Sequence, residues 1–108
     1  MKLSPKDALA KLNQHEAPFL HLFEHGTLSV EIYKPEGMDK QQPHSRDEIY
    51  VIISGYGEFI NGKVKTTFSA GDFLFVPART KHRFENFSED FSTWVIFYGP
   101  EGGEQSED

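Results

Sequence analysis

The sequence predicts an all-β domain: a small antiparallel barrel or sandwich preceded by one short helix. Three observations lead there. The aromatic load is heavy, with ten Phe, four Tyr and one Trp in 108 residues, and aromatic side chains favour strands. Apolar and polar residues alternate with period two in short runs. Turn signals separate these runs at close intervals, as in antiparallel sandwiches and barrels.

The helix comes first. In Ser4-Pro5-Lys6-Asp7, serine caps, proline takes the first helical position and aspartate falls in the first turn. Leu3, Ala8, Leu9 and Leu12 form its apolar stripe through about Asn13, so residues 1–14 are a packing segment. It is expected to cover one end of a barrel or to meet a second subunit. Strands follow: Phe19–Glu24, then the alternating Leu28, Val30 and Ile32, then Glu48–Ser54. Glu58–Ile60 and Lys63–Ser69 flank Asn61-Gly62, the strongest two-residue hairpin signal in the chain. Phe73–Val76, Lys81–Asn86 and Phe91–Tyr98 complete a single domain over residues 15–99. Residues 100–108 are Gly-rich and acidic with no apolar residue, and are expected to form a disordered tail.

Composition narrows the chemistry. There is no cysteine, so disulfides, thiolate metal sites and thiol catalysis are excluded. Any metal must be held by nitrogen and oxygen. The formal net charge is −6, with four acids in residues 101–108, which leaves a nearly neutral body. No clustered basic face suggests nucleic acid. No apolar run approaches the ~20 residues of a membrane span. No apolar signal core follows Met1-Lys2-Leu3-Ser4-Pro5, so a cytoplasmic location is expected.

Two segments carry the candidate chemistry. The first is Gln42-Pro-His44-Ser-Arg-Asp-Glu48, entering the strand that ends before Gly55. Alternate residues of a strand share a face. An extended run would therefore aim Gln42, His44, Glu48 and Tyr50 the same way. The second segment runs from Gly71 through Pro77, Arg79 and His82 to Asn86. His82 shares a face with Phe84, and Lys81, Arg83 and Glu85 take the other. Two imidazoles and a carboxylate on converging strands would suit a divalent metal, but spacing alone does not bring the segments together.

These segments resemble the paired motifs of the cupin superfamily. Gln42-x-His44, three residues, Glu48, six residues and Gly55 resembles its first motif; Gly71, five residues, Pro77-x-Arg79, two residues, His82, three residues and Asn86 resembles its second. Three positions depart. Gln42 replaces the first histidine, Arg79 replaces the inner glycine of the second motif, and Gly37 lies one residue too close to Gln42 to serve as the opening glycine. The resemblance implies a small jelly-roll barrel of the compact cupin-2 type. It implies one divalent metal (Fe, Mn, Zn or Ni) on His44, Glu48 and His82. Gln42 is either a fourth ligand through its carbonyl oxygen or a hydrogen-bond partner of the ligands.

The resemblance also frames the function. A two-histidine, one-carboxylate set leaves open positions and suits non-haem iron oxygen chemistry. A dioxygenase acting on a small organic molecule is the first reading. An isomerase or lyase, or a non-catalytic module that binds or senses a small ligand, is the alternative. Tyr50 is the candidate for proton transfer or substrate contact, and Arg79 for an anionic substrate group. Arg46, Lys81 and Arg83 could also meet an anionic substrate near the barrel mouth, but Lys81 and Arg83 read more simply as a solvated edge, and His15, His21 and His25 as surface histidines. Phe59, Phe68, Phe73, Phe75, Phe84, Trp94 and Phe97 read as core. The outward parity of Ile49, Val51 and Ile53 suggests either a homodimer through an outer sheet, as is common among cupin barrels, or packing on the second sheet or the N-terminal helix.

Overall fold

The computed structural model describes residues 1–105. One helix and eight strands follow in order: α1 Pro5–Leu12, β1 Phe19–His25, β2 Leu28–Tyr33, β3 Asp47–Ser54, β4 Tyr56–Asn61, β5 Val64–Ser69, β6 Phe73–Val76, β7 His82–Glu85 and β8 Ser92–Tyr98. All strand pairs are antiparallel. They form a five-stranded sheet, β1-β2-β8-β3-β6, and a three-stranded sheet, β5-β4-β7. The two sheets face each other as a small jelly-roll barrel.

The predicted parities hold inside the strands. On β3, Glu48, Tyr50 and Ile52 face the other sheet and are buried. They meet Phe59 and Phe68 from the β4–β5 hairpin and Phe84 from β7, with Val76, Val95 and Phe91 filling the remaining core. Phe59 and Phe84 have ring centroids 4.7 Å apart, and Phe84 and Phe91 4.6 Å, spacings at which aromatic pairs attract beyond area burial. Phe73 and Phe75 do not belong to this core. They face outward and are 63% and 42% exposed.

The helix begins where the sequence indicates. Ser4 Oγ accepts a hydrogen bond from the Asp7 N–H at 3.2 Å, satisfying one of the free donors of the first turn. Ala8 and Leu12 pack on Ile32, Leu20, Leu22, Ile53 and Trp94. The helix therefore covers one corner of the outer face of the larger sheet rather than an end of the barrel.

Two local expectations differ. The hairpin loop is Gly62-Lys63, because Asn61 still pairs with Val64. Gly62 takes the positive φ (63°) that this loop requires. Asn61 instead uses its side chain to donate to the Phe75 carbonyl at 2.8 Å, which ties the hairpin to β6. The acidic tail is docked over its first residues: the Gly102 N–H donates to the Ser45 carbonyl, and the Glu104 N–H to Asp47 Oδ2. Residues 106–108 lie outside the described part of the chain.

Candidate metal centre

β3 and β7 come from opposite sheets, and their inward residues meet at one end of the barrel. Glu48 is the first inward residue of β3 and His82 the first of β7. His44 precedes β3 in a loop, and the Arg79 N–H, in the turn before β7, donates to its carbonyl. Asp47 secures the same junction, accepting from the Ala78 N–H at 3.0 Å and the Glu104 N–H at 2.8 Å. The second motif is thereby bonded to the entrance of the first.

One potential ligand atom from each of His44, Glu48 and His82 lies within 4.8 Å of the others. His82 Nε2 is 3.0 Å from Glu48 Oε1, and His44 Nε2 is 4.0 Å from Glu48 Oε2. The Glu48 and His82 side chains are each 1% exposed, and that of His44 is 36% exposed. The His44 ring meets Phe97 edge-on, with centroids 4.8 Å apart. Phe97 flanks His44 and Phe59 flanks His82, and His44 is the most exposed of the three.

The hydrogen bonds orient these ligands. His82 Nδ1 is 2.8 Å from the Thr80 carbonyl. A carbonyl can only accept, so Nδ1 carries a proton. In the neutral ring, Nε2 then presents a lone pair to Glu48. Neither Glu48 oxygen has a hydrogen-bond donor among the described residues. A buried carboxylate without donors, facing an imidazole lone pair at contact distance, calls for a positive charge between them. A proton on His82 or a divalent metal meets that need. Histidine ligands usually donate their other ring N–H to a carbonyl or carboxylate, as His82 does to Thr80. The residues present therefore fit a metal with nitrogen and oxygen ligands.

Tyr50 stands beside this pair. Its hydroxyl lies 3.1 Å from His82 Nε2 and donates to Gln41 Oε1 at 2.8 Å. Burial, and then the charge of Glu48, push its ionisation well above the ordinary tyrosine value. Tyr50 is thus a neutral hydrogen-bonding group. Gln41 Nε2 in turn donates to Asp39 Oδ2 at 2.9 Å, which fixes the amide orientation. Asp39 also accepts from the Tyr33 hydroxyl at 2.6 Å, the Gln41 N–H at 3.1 Å and the Phe84 N–H at 2.8 Å. Burial and this bond to Asp39 raise the Tyr33 ionisation in the same way.

Sequence reasoning missed Asp39 and Gln41. Gln42 does not continue the strand face of Glu48, because no strand precedes Asp47 after Tyr33. It is exposed and lines a cavity that reaches His82. Arg79 is exposed and does not line that cavity. It has φ 65°, a left-handed backbone that glycine, the usual residue at this motif position, adopts without steric cost. Asn86 also has positive φ (49°), and its side chain donates to Glu58 Oε1 at 2.6 Å. Asparagine tolerates that conformation better than most residues. No helix among the described residues is long and apolar enough to cross a membrane.

An antiparallel barrel with a histidine–carboxylate cluster at one end defines a class that known proteins share. The family model for the cupin domain matches residues 29–98, and the chain belongs to that family. An uncharacterised protein of Streptomyces coelicolor is 32% identical over 89 residues, covering 81% of this chain and 85% of the relative. Among solved structures, a Neisseria meningitidis protein superposes with a TM-score of 0.72 at 20% identity, covering 92% of this chain and all of the other. A cupin-2 domain protein from Shewanella frigidimarina gives 0.69 at 19% identity, covering 90% and 94%. At these identities the solved structures speak for the fold.

Proposed function

We propose that this cupin is a cytoplasmic metal-dependent enzyme acting on a small organic molecule, with His44, Glu48 and His82 holding one divalent ion. The carrying observation is the donor-free, buried Glu48 carboxylate against the His82 lone pair. A metal bound there supplies Lewis acidity and, if it is iron, the capacity for oxygen chemistry. Glu48 brings negative charge, and Thr80 holds the His82 ring in its ligating tautomer. Phe97 and Phe59 set apolar surface against the His44 and His82 rings. Tyr50 holds its proton toward Gln41 and leaves an oxygen lone pair facing the site. Dioxygenation is the first choice of reaction, because a two-histidine, one-carboxylate set would leave open positions on a bound iron ion. Isomerisation or lyase chemistry uses the same open positions. Elemental analysis of protein purified without added metal, followed by oxygen uptake with Fe(II) against diketones, phenols and thiols, tests this reading. Metal content unchanged in His44→Ala and His82→Ala would remove the assignment.

One observation favours a second reading, a binding or sensing module without turnover. Tyr50 is already engaged by Gln41 and is held neutral, so the inner wall offers no ready acid or base beyond the ligands. Stoichiometric metal with no turnover of any panel member would select it.

We also propose a homodimer. Across the outer face of the larger sheet, Val30, Ile96, Ile49 and Phe75 form one cross-strand row, and Trp94, Val51 and Phe73 another. The helix covers only the end near Ile32. A second copy, presenting the same uncharged face about a two-fold axis, would cover the rest. Light scattering should give twice the chain mass, and Val51→Lys with Phe73→Lys should halve it. A monomer at micromolar concentration would refute the pairing.

A further inference from the structure

The cavity beside His82 has a charge unlike that of the whole chain. It holds about 530 Å³ and is lined by Lys40, Gln42, Lys81, His82 and Arg83. Its one acidic lining residue is Asp39, which is buried and accepts four hydrogen bonds. That carboxylate is thus turned to its own donors. The Arg83 Nε is held by Glu85 Oε2 at 2.8 Å, which steadies the side chain with its two terminal nitrogens still available for a ligand. The chain has a formal charge of −6, and yet three cations gather at one opening. Another cavity, of about 610 Å³, mixes Lys34 and Lys40 with Glu16 and Glu36 and shows no such bias.

We propose that the cavity against His82 receives a small organic anion, with Lys40, Lys81 and Arg83 binding its charged group and Gln42 donating a neutral hydrogen bond. The volume suits a small molecule rather than a polymer. A lysine ammonium is a mobile point charge, and an arginine offers a planar fork for carboxylate or phosphate oxygens. His82 belongs to both the cavity lining and the ligand cluster, but its side chain is 1% exposed and Arg83 takes the opposite face of β7, so the bound anion lies beside the metal centre rather than in it. The inference rests on the metal-centre reading for its catalytic meaning, although anion binding itself does not need the metal. It also revises the residues expected to meet a negative substrate: Lys81 and Arg83 replace Arg79.

Isothermal titration of the full chain with acetate, succinate and inorganic phosphate, with and without Zn(II), tests this. Neutral succinamide is the control. At least one of the anions should bind the metal-free protein, more weakly as salt rises, and succinamide should not. Lys40→Gln with Lys81→Gln should weaken that binding about tenfold, and Arg83→Gln should weaken it further. Metal content should stay at the wild-type level in every variant. Binding of none of the three anions, or equal binding by wild type and the variants, would overturn the proposal. Lysine-dependent anion binding by a protein that takes up no metal would support the cavity and reject the metal centre. Metal uptake without lysine-dependent binding would do the reverse.

Discussion

Glu48 Oε1 lies 3.0 Å from His82 Nε2, and both side chains are 1% exposed. Neither Glu48 oxygen has a donor among the described residues. A cation placed there relieves a buried charge, so metal should stabilise the fold as well as occupy a site. At a free metal concentration of about 100 Kd the gain is about 2.7 kcal/mol, or about 10–20 °C in a domain of this size. Thermal melts of EDTA-treated protein with and without Zn(II) or Mn(II) measure it. Glu48→Gln should abolish the shift. An equal shift in wild type and variant would place the metal elsewhere.

The same pair sets a pH dependence in the metal-free protein. Burial pushes the His82 imidazolium down, but the Glu48 carboxylate, the Thr80 carbonyl and the charge of Asp39 outweigh it, and the net displacement is upward. A histidine with a raised folded pKa contributes its stability below the unfolded value of about 6.5, and that contribution is lost as pH rises through the folded value. Metal binding has the opposite sign, because the ring must lose its proton first. With EDTA, the stability difference between wild type and His82→Gln should shrink as pH rises above about 6.5. With saturating metal it should grow over the same range. Parallel curves would show that proton and metal do not compete at His82.

The site was legible in the sequence where a strand imposes its period; in the strandless segment before β3 only His44, marked by the motif, reached the cluster as expected. Glu48 and Tyr50 alternate with Ile49 and Val51 on β3, and His82 alternates with Arg83 on β7, so parity alone turned the right residues inward. Carrying that parity back to Gln42 failed because residues 34–46 contain no strand. Side chains there are aimed by Asp39, whose partners include Tyr33, six positions away, and Phe84, 45 positions away. No local pattern encodes such contacts. Phe73 and Phe75 read as core because apolar composition does not say which face of an edge strand is covered.

Asp39 should therefore matter to stability more than its loop position suggests. Asp39→Ala removes the acceptor for four donors, among them the buried Tyr33 hydroxyl and the Phe84 N–H. Stranding buried donors on a lost carboxylate costs about 3 kcal/mol or more. Tyr50→Phe removes the hydroxyl's bond to Gln41 and its contact with His82 Nε2, strands no carboxylate-bound donor, and should cost about 1 kcal/mol. Urea unfolding gives both values. An Asp39→Ala protein within about 0.5 kcal/mol of wild type would mean that water replaces the carboxylate without loss.

Gly55 and Gly71 close the first motif and open the second, and both have positive φ, 87° and 91°. Their surroundings differ. A Cβ on Gly55 would lie 2.6 Å from both Phe91 Cα and Ser88 Oγ, whereas one on Gly71 would meet nothing within 4 Å. Gly71→Ala should cost only the left-handed backbone strain, about 1–2 kcal/mol. Gly55→Ala adds a backbone collision that moves the loop carrying Phe91, a fully buried core residue. It also disturbs Ser88, whose hydroxyl accepts from the Tyr56 N–H at 3.0 Å. We expect Gly55→Ala to lose at least about 2 kcal/mol more than Gly71→Ala, read as the difference between their urea midpoints. Equal losses would mean that φ alone fixes the glycine at both motif positions, and that the approach of Phe91 to Gly55 yields at little cost.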